Sequence, residues 1–416
     1  MIYLFYIATG LLIIQGIFSL IEGIQFRAYV RRSLKKQFSP FIPKASIIAP
    51  CKGIDTALEE NLDTLFRQEY PDYEIIFVIA SEGDPARQVI ERAIGKHPDR
   101  DARLIVAEPG EGRSEKVNNL LRALDHISPD SQVLVFVDSD AQVGSDWLRA
   151  LVSALSGGQK ECLFPQKEDS FPQPGAATGY RWYLPEKGGF WSAMLSAWNG
   201  SIATMLGDHK NNFAWGGSTA ITREAFERFK VAARWERAVS DDYALTRAVQ
   251  YGGSHIKFVP QCLAVTREDP SFGEMMEFTT RQIIITRIYR AKVWWIGMIS
   301  HLFFNATFWG GIIFVSLSAP GNKGITLPLT MMSAIYVLGS MKGALRMVSA
   351  MEAIATARLE IMKLWWAYCF IWPLVSIVFL YNFIKSATTR RITWRGVRYE
   401  MRSPAETVVV EVKSKK

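Results

Sequence analysis

The sequence predicts an α/β domain with a mostly parallel sheet, placed between apolar segments near the two ends of the chain. Short apolar runs alternate with helical patterns from Ala45 to Ala264, and this alternation is typical of parallel strands joined by crossover helices. The long apolar runs stand outside that region. Polar and acidic residues follow several of the predicted strands, where an open α/β sheet binds its ligands.

Apolar spacing predicts each strand and helix of this domain in turn. The predicted strands are Ser46–Pro50, Glu74–Ala80, Leu104–Ala107 and Val133–Val137. The predicted helices are Leu58–Gln68, Pro85–Gly95, Lys116–His126 and Trp147–Leu155. Leu58, Leu62 and Leu65 share one face of the first helix. Pro85 suits the first turn of the second helix, which Asp84 begins. Strands that alternate with helices predict a parallel sheet covered on both faces.

Asp138 and Asp140 directly follow the fourth predicted strand. Side chains two apart on a strand point to the same side, and two like charges are costly there unless a cation lies between them. A divalent metal ion is the usual solution, and an Asx turn before the next helix is the alternative. Lys52 and Asp84 follow the first and second strands at the same predicted edge, with a solvated lysine and a simple helix cap as the alternatives.

Composition and motifs exclude several classes of function. The net charge of +8 comes largely from segments beside the apolar runs, so attraction to anionic lipid explains it better than nucleic-acid binding. No G-x-G-x-x-G follows the first strand, and no G-x-x-x-x-G-K-[ST] occurs. G-x-S-x-G and H-E-x-x-H are absent as well, which argues against a nucleophile elbow and against zinc. The four cysteines lack C-x-x-C spacing and are predicted to be free thiols.

The first apolar run predicts a membrane anchor at residues 1–25. Tyr3–Gly23 is nearly unbroken apolar sequence, and about 20 such residues cross a bilayer. Basic residues follow it: Arg27, Arg31, Arg32, Lys35 and Lys36. Positive charge marks the cytoplasmic side of a span, so the middle of the chain is expected in the cytoplasm. A cleaved signal peptide is the alternative.

Three later apolar stretches predict membrane segments within residues 291–386. They are Val293–Ala319, Ile325–Met341 and Leu364–Phe383. Basic residues lie between the last two stretches and in the tail at 387–416, so both are expected to be cytoplasmic. A single crossing between them would place the tail outside. Either the last stretch is re-entrant or a hairpin broken near Pro373, or another stretch is interfacial.

Six short motifs occur in order along the chain: Ser46-Ile-Ile-Ala-Pro-Cys-Lys-Gly53, Ala80-Ser-Glu-Gly-Asp-Pro-Ala86, Lys116-Val-Asn-Asn-Leu120, Asp138-Ser-Asp140, Trp215-Gly-Gly-Ser-Thr-Ala220 and Ser240-Asp-Asp-Tyr243. Together they resemble the family 2 glycosyltransferases, and most closely the ceramide glucosyltransferase branch and its bacterial relatives. The tail motif Thr393–Tyr399 is similar to that branch's ending. The resemblance implies a Rossmann-like GT-A fold at residues 40–290, with transmembrane helices on both sides.

The resemblance also implies a binding site for a UDP-sugar donor. The residues that match its nucleotide-binding positions are Pro50, Lys52, Asp84 and Lys116. Asp138 and Asp140 match the D-x-D motif that binds the diphosphate through Mg²⁺ or Mn²⁺. Gly216 and Gly217 would let the backbone approach the donor sugar closely.

Asp242 matches the catalytic base of the family, and Asp241 stands where relatives often have glutamate. By this resemblance, Asp242 takes the proton of the acceptor hydroxyl as that hydroxyl attacks the anomeric carbon. One displacement inverts that carbon without a covalent sugar intermediate. The alternative is that both aspartates only cap the predicted helix Tyr243–Gln250.

The acceptor site is the part of the resemblance that departs from the family. Trp215, Gln282 and Arg287 are the candidate acceptor-binding residues. The family commonly has Q-x-x-R-W before its C-terminal membrane segments, but the frame of Gln282 places Ile285–Thr286 at R-W. In the frame of Arg287, isoleucines replace the glutamine and the tryptophan. The alternative for Arg281, Arg287 and Arg290 is a basic fringe at the membrane surface. Phe190–Leu206 is either a core helix or a lipid-facing acceptor region.

The leading hypothesis is a membrane-bound, metal-dependent hexosyltransferase of glycolipid biosynthesis. It would move a sugar from a UDP-sugar such as UDP-glucose to the hydroxyl of a ceramide-like or other lipid, at the cytoplasmic face of a bacterial inner membrane or an internal eukaryotic membrane. The alternatives are a processive polysaccharide synthase that uses a UDP-sugar, and a transporter or scaffold that only binds nucleotide. The expected partners are the lipid, the nucleotide-sugar and the membrane, without nucleic acid; the oligomeric state is open.

Overall fold

The structure is a computed structural model that describes residues 2–156, 173–318 and 325–412. The described chain falls into two compact units, each built from separate stretches. The helical unit comprises Met1–Arg31, Leu184–Thr204 and Asp269–Thr389. The sheet unit comprises Arg32–Tyr183, Met205–Glu268 and Arg390–Lys416. The division expected from the sequence, at 1–25, 40–290, 291–386 and 387–416, stays a prediction.

One sheet of seven strands forms the centre of the sheet unit. Its strands are β1 (Ala45–Pro50), β2 (Tyr73–Ile79), β3 (Ala102–Val106), β4 (Val133–Val137), β5 (Ala176–Leu184), β6 (Ser218–Thr222) and β7 (Ile256–Arg267). They lie in the order β3-β2-β1-β4-β6-β5-β7. β1 pairs in parallel with β2 and β4, and β2 pairs in parallel with β3. β6 pairs antiparallel with both β4 and β5. The predicted α/β fold with a mostly parallel sheet is confirmed, and the four predicted strands correspond to β1–β4.

The helices belong to both units. In chain order they are α1 (Ile2–Leu34), α2 (Leu58–Phe66), α3 (Ala86–Lys96), α4 (Glu115–Leu124), α5 (Trp147–Leu155), α6 (Phe190–Ala203), α7 (Arg223–Arg228), α8 (Val231–Trp235), α9 (Asp241–Tyr251), α10 (Phe272–Tyr289), α11 (Ala291–Ser318), α12 (Thr326–Ala353), α13 (Arg358–Lys363), α14 (Trp365–Cys369) and α15 (Trp372–Thr388). The sheet unit holds α2–α5 and α7–α9, and the helical unit holds the others.

Buried apolar strands and capped helices explain why the sheet unit folds in this way. Ile47, Ile76 and Val135 in the centre of β1, β2 and β4 have no exposed surface, as expected for parallel strands covered on both faces. The Ser114 hydroxyl caps α4 by accepting a hydrogen bond from Val117 N at 3.2 Å. This cap fixes the first turn of α4, which carries Lys116.

Within residues 2–156, 173–318 and 325–412, two helices are long and apolar enough to cross a membrane: Tyr3–Leu34 and Ala291–Leu317. The second and third of the later apolar stretches also form helices, as α12 and as α14 with α15. The last stretch is broken after Cys369, and Pro373 stands in the first turn of α15, where a proline is tolerated.

The segment Phe190–Leu206, for which the sequence leaves two interpretations open, forms the buried helix α6. Its Trp198 ring stacks on Phe379 with a centroid distance of 4.9 Å. Its Ser196 hydroxyl lies 2.7 Å from the hydroxyl of Tyr368. Side chains of α6 are therefore packed inside the helical unit.

A second, three-stranded sheet occupies the segment expected to be a basic tail. It consists of β8 (Arg391–Trp394), β9 (Val397–Ser403) and β10 (Glu406–Val412), antiparallel and in the order β10-β9-β8. Ile392, Val397, Tyr399 and Met401 alternate with polar residues and are buried, which is the pattern of a strand with one solvated face. We call this element the C-terminal sheet.

Candidate active site

The carboxyl ends of neighbouring parallel strands bring the predicted donor-site residues to one edge of the sheet. Pro50 is the last residue of β1, and Lys52 and Gly53 follow it. Gly53 N donates to Asp84 Oδ1 at 2.8 Å, and the same oxygen accepts from Ala86 N at 2.9 Å. Asp84 therefore joins the turns after β1 and β2 and also binds the first backbone N–H of α3. Both functions leave it at the edge where α/β sheets bind ligands.

Asp138 and Asp140 follow β4 at this edge, and an arginine lies between them. Arg181 on β5 contacts Asp138 Oδ2 through Nη2 at 2.9 Å and Asp140 Oδ2 through Nη1 at 3.2 Å. The Lys116 ammonium contacts the other Asp138 oxygen at 2.6 Å. Arg181 and Lys116 therefore supply positive charge to this pair of aspartates.

Charge and burial act differently on the two carboxyl groups. Burial opposes ionisation of Asp138, but Lys116 and Arg181 outweigh it and lower the pKa of that carboxyl. Burial dominates at Asp140 and raises its pKa, although Arg181 acts in the opposite direction. Asp138 is thus the carboxylate with the stronger cationic support.

Lys116 also connects the strand end to the start of α9. Its Nζ lies 3.2 Å from Asp241 Oδ2, and burial raises the pKa of Asp241 to about 6 despite this lysine. A Cβ on Gly216 would lie 1.9 Å from that same Asp241 oxygen and 2.9 Å from Lys116 Nζ. A Cβ on Gly217 would lie 2.2 Å from Cζ2 of Trp215. Neither position therefore has room for a side chain, and Gly216 lies next to the charged groups of Asp241 and Lys116.

Asp242 has a different environment from Asp241. The Ser240 hydroxyl donates to Asp242 Oδ1, which also accepts from Tyr243 N at 2.7 Å. The cap of α9 is the Ser240 hydroxyl, which accepts from the same Tyr243 N at 3.1 Å, and Asp242 Oδ1 binds in the first turn beside it. The other oxygen, Oδ2, has no hydrogen-bond partner among the described residues, and the side chain is only partly buried. Asp242 is thus held in the first turn of α9 through one oxygen, while the other is available to a ligand.

Several residues at this edge have no counterpart in the sequence predictions. Arg181 stands alone as a charge in an aromatic strand, where its guanidinium lies 4.8 Å from the centre of the Trp215 ring. Glu268 follows β7, and burial together with Asp140 raises its pKa to about 7. Asp55 Oδ2 accepts from the Ser139 hydroxyl at 2.6 Å. A charged residue in or directly after an apolar strand is the signal that marks Arg181 and Glu268.

The candidate acceptor-binding residues lie in different units. Trp215 belongs to the sheet unit and is buried. Gln282 and Arg287 lie on α10 of the helical unit. Arg287 donates to the carbonyl oxygens of Ala387 at 2.7 Å and Thr389 at 3.0 Å, so it caps the C-terminal end of α15. A basic residue at a helix C-terminus is a structural use of this arginine.

The donor set at the strand end fits a divalent cation with few protein ligands. Asp140 Oδ1 is buried and has no hydrogen-bond partner among the described residues. Three or more potential ligands do not converge anywhere within residues 2–156, 173–318 and 325–412. Mg²⁺ commonly binds one or two carboxylates and takes its other ligands from substrate phosphates and water. Asp140, with Asp138 beside it, meets that requirement.

The chain is similar in sequence to known glycosyltransferases. The model of the family described as Glycosyl transferase family 21 matches residues 11–406. The ceramide glucosyltransferase of Komagataella phaffii is 36% identical over 121 residues, 28% of this chain and 23% of that protein. Ceramide glucosyltransferase 1 of Caenorhabditis elegans is 34% identical over 98 residues, 24% of this chain and 21% of that protein. The alignments therefore span less than a quarter of either relative.

Two solved structures are among those to which this chain is similar. A mannosyltransferase from Pyrobaculum calidifontis in complex with GDP-Man and Mn²⁺ is 17% identical, with a TM-score of 0.46 over 91% of this chain and 99% of that one. Glucosyl-3-phosphoglycerate synthase from Mycobacterium tuberculosis in complex with Mn²⁺ and UDP-Glc is 13% identical, with a TM-score of 0.35 over 59% and 79%. The matching family model carries the number 21 where the motifs indicate family 2, and the predicted resemblance to ceramide glucosyltransferases is confirmed.

Proposed function

Because the chain belongs to glycosyl transferase family 21, we propose that it transfers a sugar from UDP to a lipid hydroxyl with inversion of the anomeric carbon. The observation that carries this proposal is the position of Lys116. Its ammonium contacts Asp138 at 2.6 Å and Asp241 at 3.2 Å, so one cation joins the proposed donor site to the helix start that bears the proposed base.

The donor diphosphate would bind where the cations of the sheet edge converge. Lys116 and Arg181 each contact Asp138 in the structure, and both cations would attract phosphate oxygens as well. The turn tied together by Gly53 and Asp84 would hold the nucleotide, together with Pro50 and Lys52. The donor sugar would lie along the side-chain-free backbone at Gly216.

A divalent cation would be held by Asp140 Oδ1, with Asp138 beside it. Mg²⁺ or Mn²⁺ in this position supplies positive charge for the departing diphosphate. Arg181 holds both carboxylates in place, and Lys116 balances the charge between Asp138 and Asp241.

Asp242 would act as the general base through its unpartnered Oδ2. It would take the proton from the lipid hydroxyl while that oxygen forms a bond to the anomeric carbon. The bond between that carbon and the UDP oxygen breaks at the same time, and its electron pair leaves with UDP. The hydrogen bonds that Oδ1 accepts from the Ser240 hydroxyl and Tyr243 N fix the orientation of the carboxylate. One such displacement inverts the anomeric carbon.

Apolar surface in the helical unit supports a lipid acceptor and a membrane location. Tyr3, Leu4 and Phe18 of α1 are at least 64% exposed, and α1 and α11 are long and apolar enough to span a bilayer. The sequence-matched relatives are named ceramide glucosyltransferases. Basic residues after the α1 apolar run, including Arg31 and Arg32, favour a multi-pass protein whose sheet unit lies in the cytoplasm.

The proposal is tested with the purified full-length protein in lipid nanodiscs that contain ceramide or diacylglycerol. Each of UDP-glucose, UDP-galactose and UDP-N-acetylglucosamine, radiolabelled in the sugar, is added with Mn²⁺, and the lipid extract is analysed by mass spectrometry. We expect one donor to yield a glycolipid with a single added sugar and an inverted anomeric centre.

Two further samples sharpen this experiment. Asp242→Asn is expected to lower the rate of product formation roughly 1,000-fold, whereas Glu224→Gln, which changes an exposed acid in the first turn of α7, retains it. A labelled high-mass polymer in the aqueous phase would contradict the lipid acceptor and support a processive synthase. Retention of the anomeric configuration would contradict the single displacement.

A further inference from the structure

The turn between β8 and β9 places an arginine in an unusual backbone conformation. Arg395 has φ 45° and Gly396 has φ 82°, between the paired residues Trp394 and Val397. Two consecutive residues with positive φ are typical of a tight two-residue hairpin, where asparagine or glycine is preferred. An arginine in this conformation costs roughly 1 kcal/mol, and such strain is found where a side chain is needed.

The Arg395 side chain reaches the sheet edge of the candidate active site. Its Nη2 contacts Asp55 Oδ1 at 2.7 Å, and its Nη1 donates to the carbonyl oxygen of Lys52. Burial disfavours its charge, but the carboxylates of Asp55, Asp140 and Asp138 raise its pKa. The side chain is still 37% exposed. A guanidinium has five N–H donors, so donors remain for a ligand after these two contacts.

The C-terminal sheet is anchored to the segments that carry the candidate site. The Tyr399 hydroxyl accepts a hydrogen bond from Glu115 N at 3.2 Å, one residue before Lys116. The Thr407 hydroxyl donates to the carbonyl of Arg237 at 2.9 Å, in the segment that leads to α9. Tyr399 and Met401 are buried in this contact region. The position of Arg395 is therefore fixed by its own sheet and not by a free tail.

We propose that Arg395 binds the diphosphate of the donor and of the leaving UDP, so that the C-terminal sheet completes the active site. This inference rests on the proposed function and adds a residue to which the sequence analysis gives no role beyond a place in the tail motif of a basic, cytoplasmic tail. Asp55 and the Lys52 carbonyl orient the guanidinium toward the strand ends, and its remaining N–H groups bind phosphate oxygens in the forked geometry that arginine provides. When the anomeric bond breaks, this charge stabilises the negative diphosphate that departs.

The test compares UDP with UMP, which lacks the second phosphate, on the purified full-length protein. Arg395→Asn removes the guanidinium and suits the positive φ, and Arg395→Lys keeps a charge without the fork. Arg398→Ala is the matched control, because Arg398 lies in the same sheet and pairs with Glu411 at 3.1 Å, with 45% of its side chain exposed. Dissociation constants for UDP and UMP are measured by calorimetry in the presence and absence of Mn²⁺.

For Arg395→Asn we expect about tenfold weaker UDP binding or more, as for loss of a charge-assisted hydrogen bond, with UMP binding changed less than about twofold. Arg395→Lys should be intermediate, and Arg398→Ala should match the wild type. Equal weakening for UDP and UMP, or unchanged UDP binding, would overturn the role of Arg395. A wild-type protein that binds neither nucleotide and transfers no sugar would instead contradict the proposed function, so the two failures are distinguishable.

Discussion

The end of β4 and the start of α9 each carry two aspartates, and the protein holds these two pairs in opposite ways. At the strand end, three of the four carboxylate oxygens accept contacts from Arg181 or Lys116. At the helix start, Lys116 contacts Asp241 only, and Asp242 is bound by Ser240 and the backbone. The first pair is arranged around positive charge, whereas no cation of the described residues forms an ion pair with Asp242 in the second.

The difference comes from the elements that carry the two pairs. Asp138 and Asp140 stand in the turn that follows β4, where Arg181 contacts both carboxylates and is their shared counter-charge. At a helix start, adjacent residues diverge by about 100°, so Asp241 and Asp242 enter separate environments. One amino-acid type can therefore serve metal and phosphate binding at the first position and proton transfer at the second.

Asp242→Asn should produce the largest effect and test the helix-start pair directly. Asparagine keeps a side-chain oxygen that can accept from the Ser240 hydroxyl and Tyr243 N, so the fold is retained while the base is lost, and the transfer rate is expected to fall roughly 1,000-fold. Initial rates at saturating donor and lipid measure this loss, and UDP affinity serves as the control. A rate within tenfold of the wild type would remove the distinction between the two pairs.

Arg181→Met should produce the next largest effect, on stability at the strand-end pair. Removing one partner of a buried charge pair leaves an uncompensated charge, which costs about 3 kcal/mol, and both the Arg181 and Asp138 side chains are at most 16% exposed. Denaturant unfolding measures the loss. Arg67→Met is the control, because its ion pair with Asp63 leaves the arginine 71% exposed and is expected to contribute less than about 1 kcal/mol.

The Arg181 experiment is repeated in the presence of Mn²⁺. The freed carboxylates are expected to bind Mn²⁺ more tightly, so the ion should raise the unfolding midpoint of Arg181→Met more than that of the wild type. Equal stability losses for the two arginine variants would contradict the assignment of Arg181 as the counter-charge of the aspartate pair.

The sequence suffices for the parallel half of the sheet because its strands are locally recognisable. Buried parallel strands are continuous apolar runs, and Val133–Val137 coincides with β4. β5 contains glycine, arginine and aromatic residues, and its partner β6 lies more than 30 residues later in the chain. No local pattern specifies such a pairing.

The site follows the same rule. Asp138, Asp140 and Asp242 were predicted because each stands in a short motif at a strand end or a helix start. Arg181 and Arg395 reach the same edge from distant parts of the chain, so only the fold reveals them. Positive charge in the tail predicts only a basic, cytoplasmic tail, although the alternating apolar residues from Ile392 to Met401 have the period of a strand.

Asp138→Asn and Asp140→Asn compare the two members of the strand-end pair. Asp140 has the buried, unpartnered Oδ1, whereas both Asp138 oxygens contact cations. Asp140→Asn is therefore expected to weaken Mn²⁺ binding in the presence of UDP by about tenfold or more, and Asp138→Asn should weaken it less. Calorimetric titration of Mn²⁺ into the UDP complex measures both, with Glu224→Gln as the control. A larger effect at Asp138 would reverse the assignment.

Asp241→Asn should give the smallest effect, which is a change in stability that depends on pH. The folded pKa of Asp241 is about 6, above the ordinary value of 3.8, so between these values the folded state binds more protons than the unfolded state. Stability from this group is thus lost as the pH rises through that window. The free energy of unfolding of Asp241→Asn, relative to that of the wild type, should therefore rise by on the order of 1 kcal/mol when the pH is raised from 4.5 to 7. Denaturant unfolding at both pH values measures this change, and Asp208→Asn, which replaces an exposed acid of the sheet unit, should show none. If Asp241→Asn is more stable than the wild type at pH 4.5 but not at pH 7, burial does not govern this carboxyl.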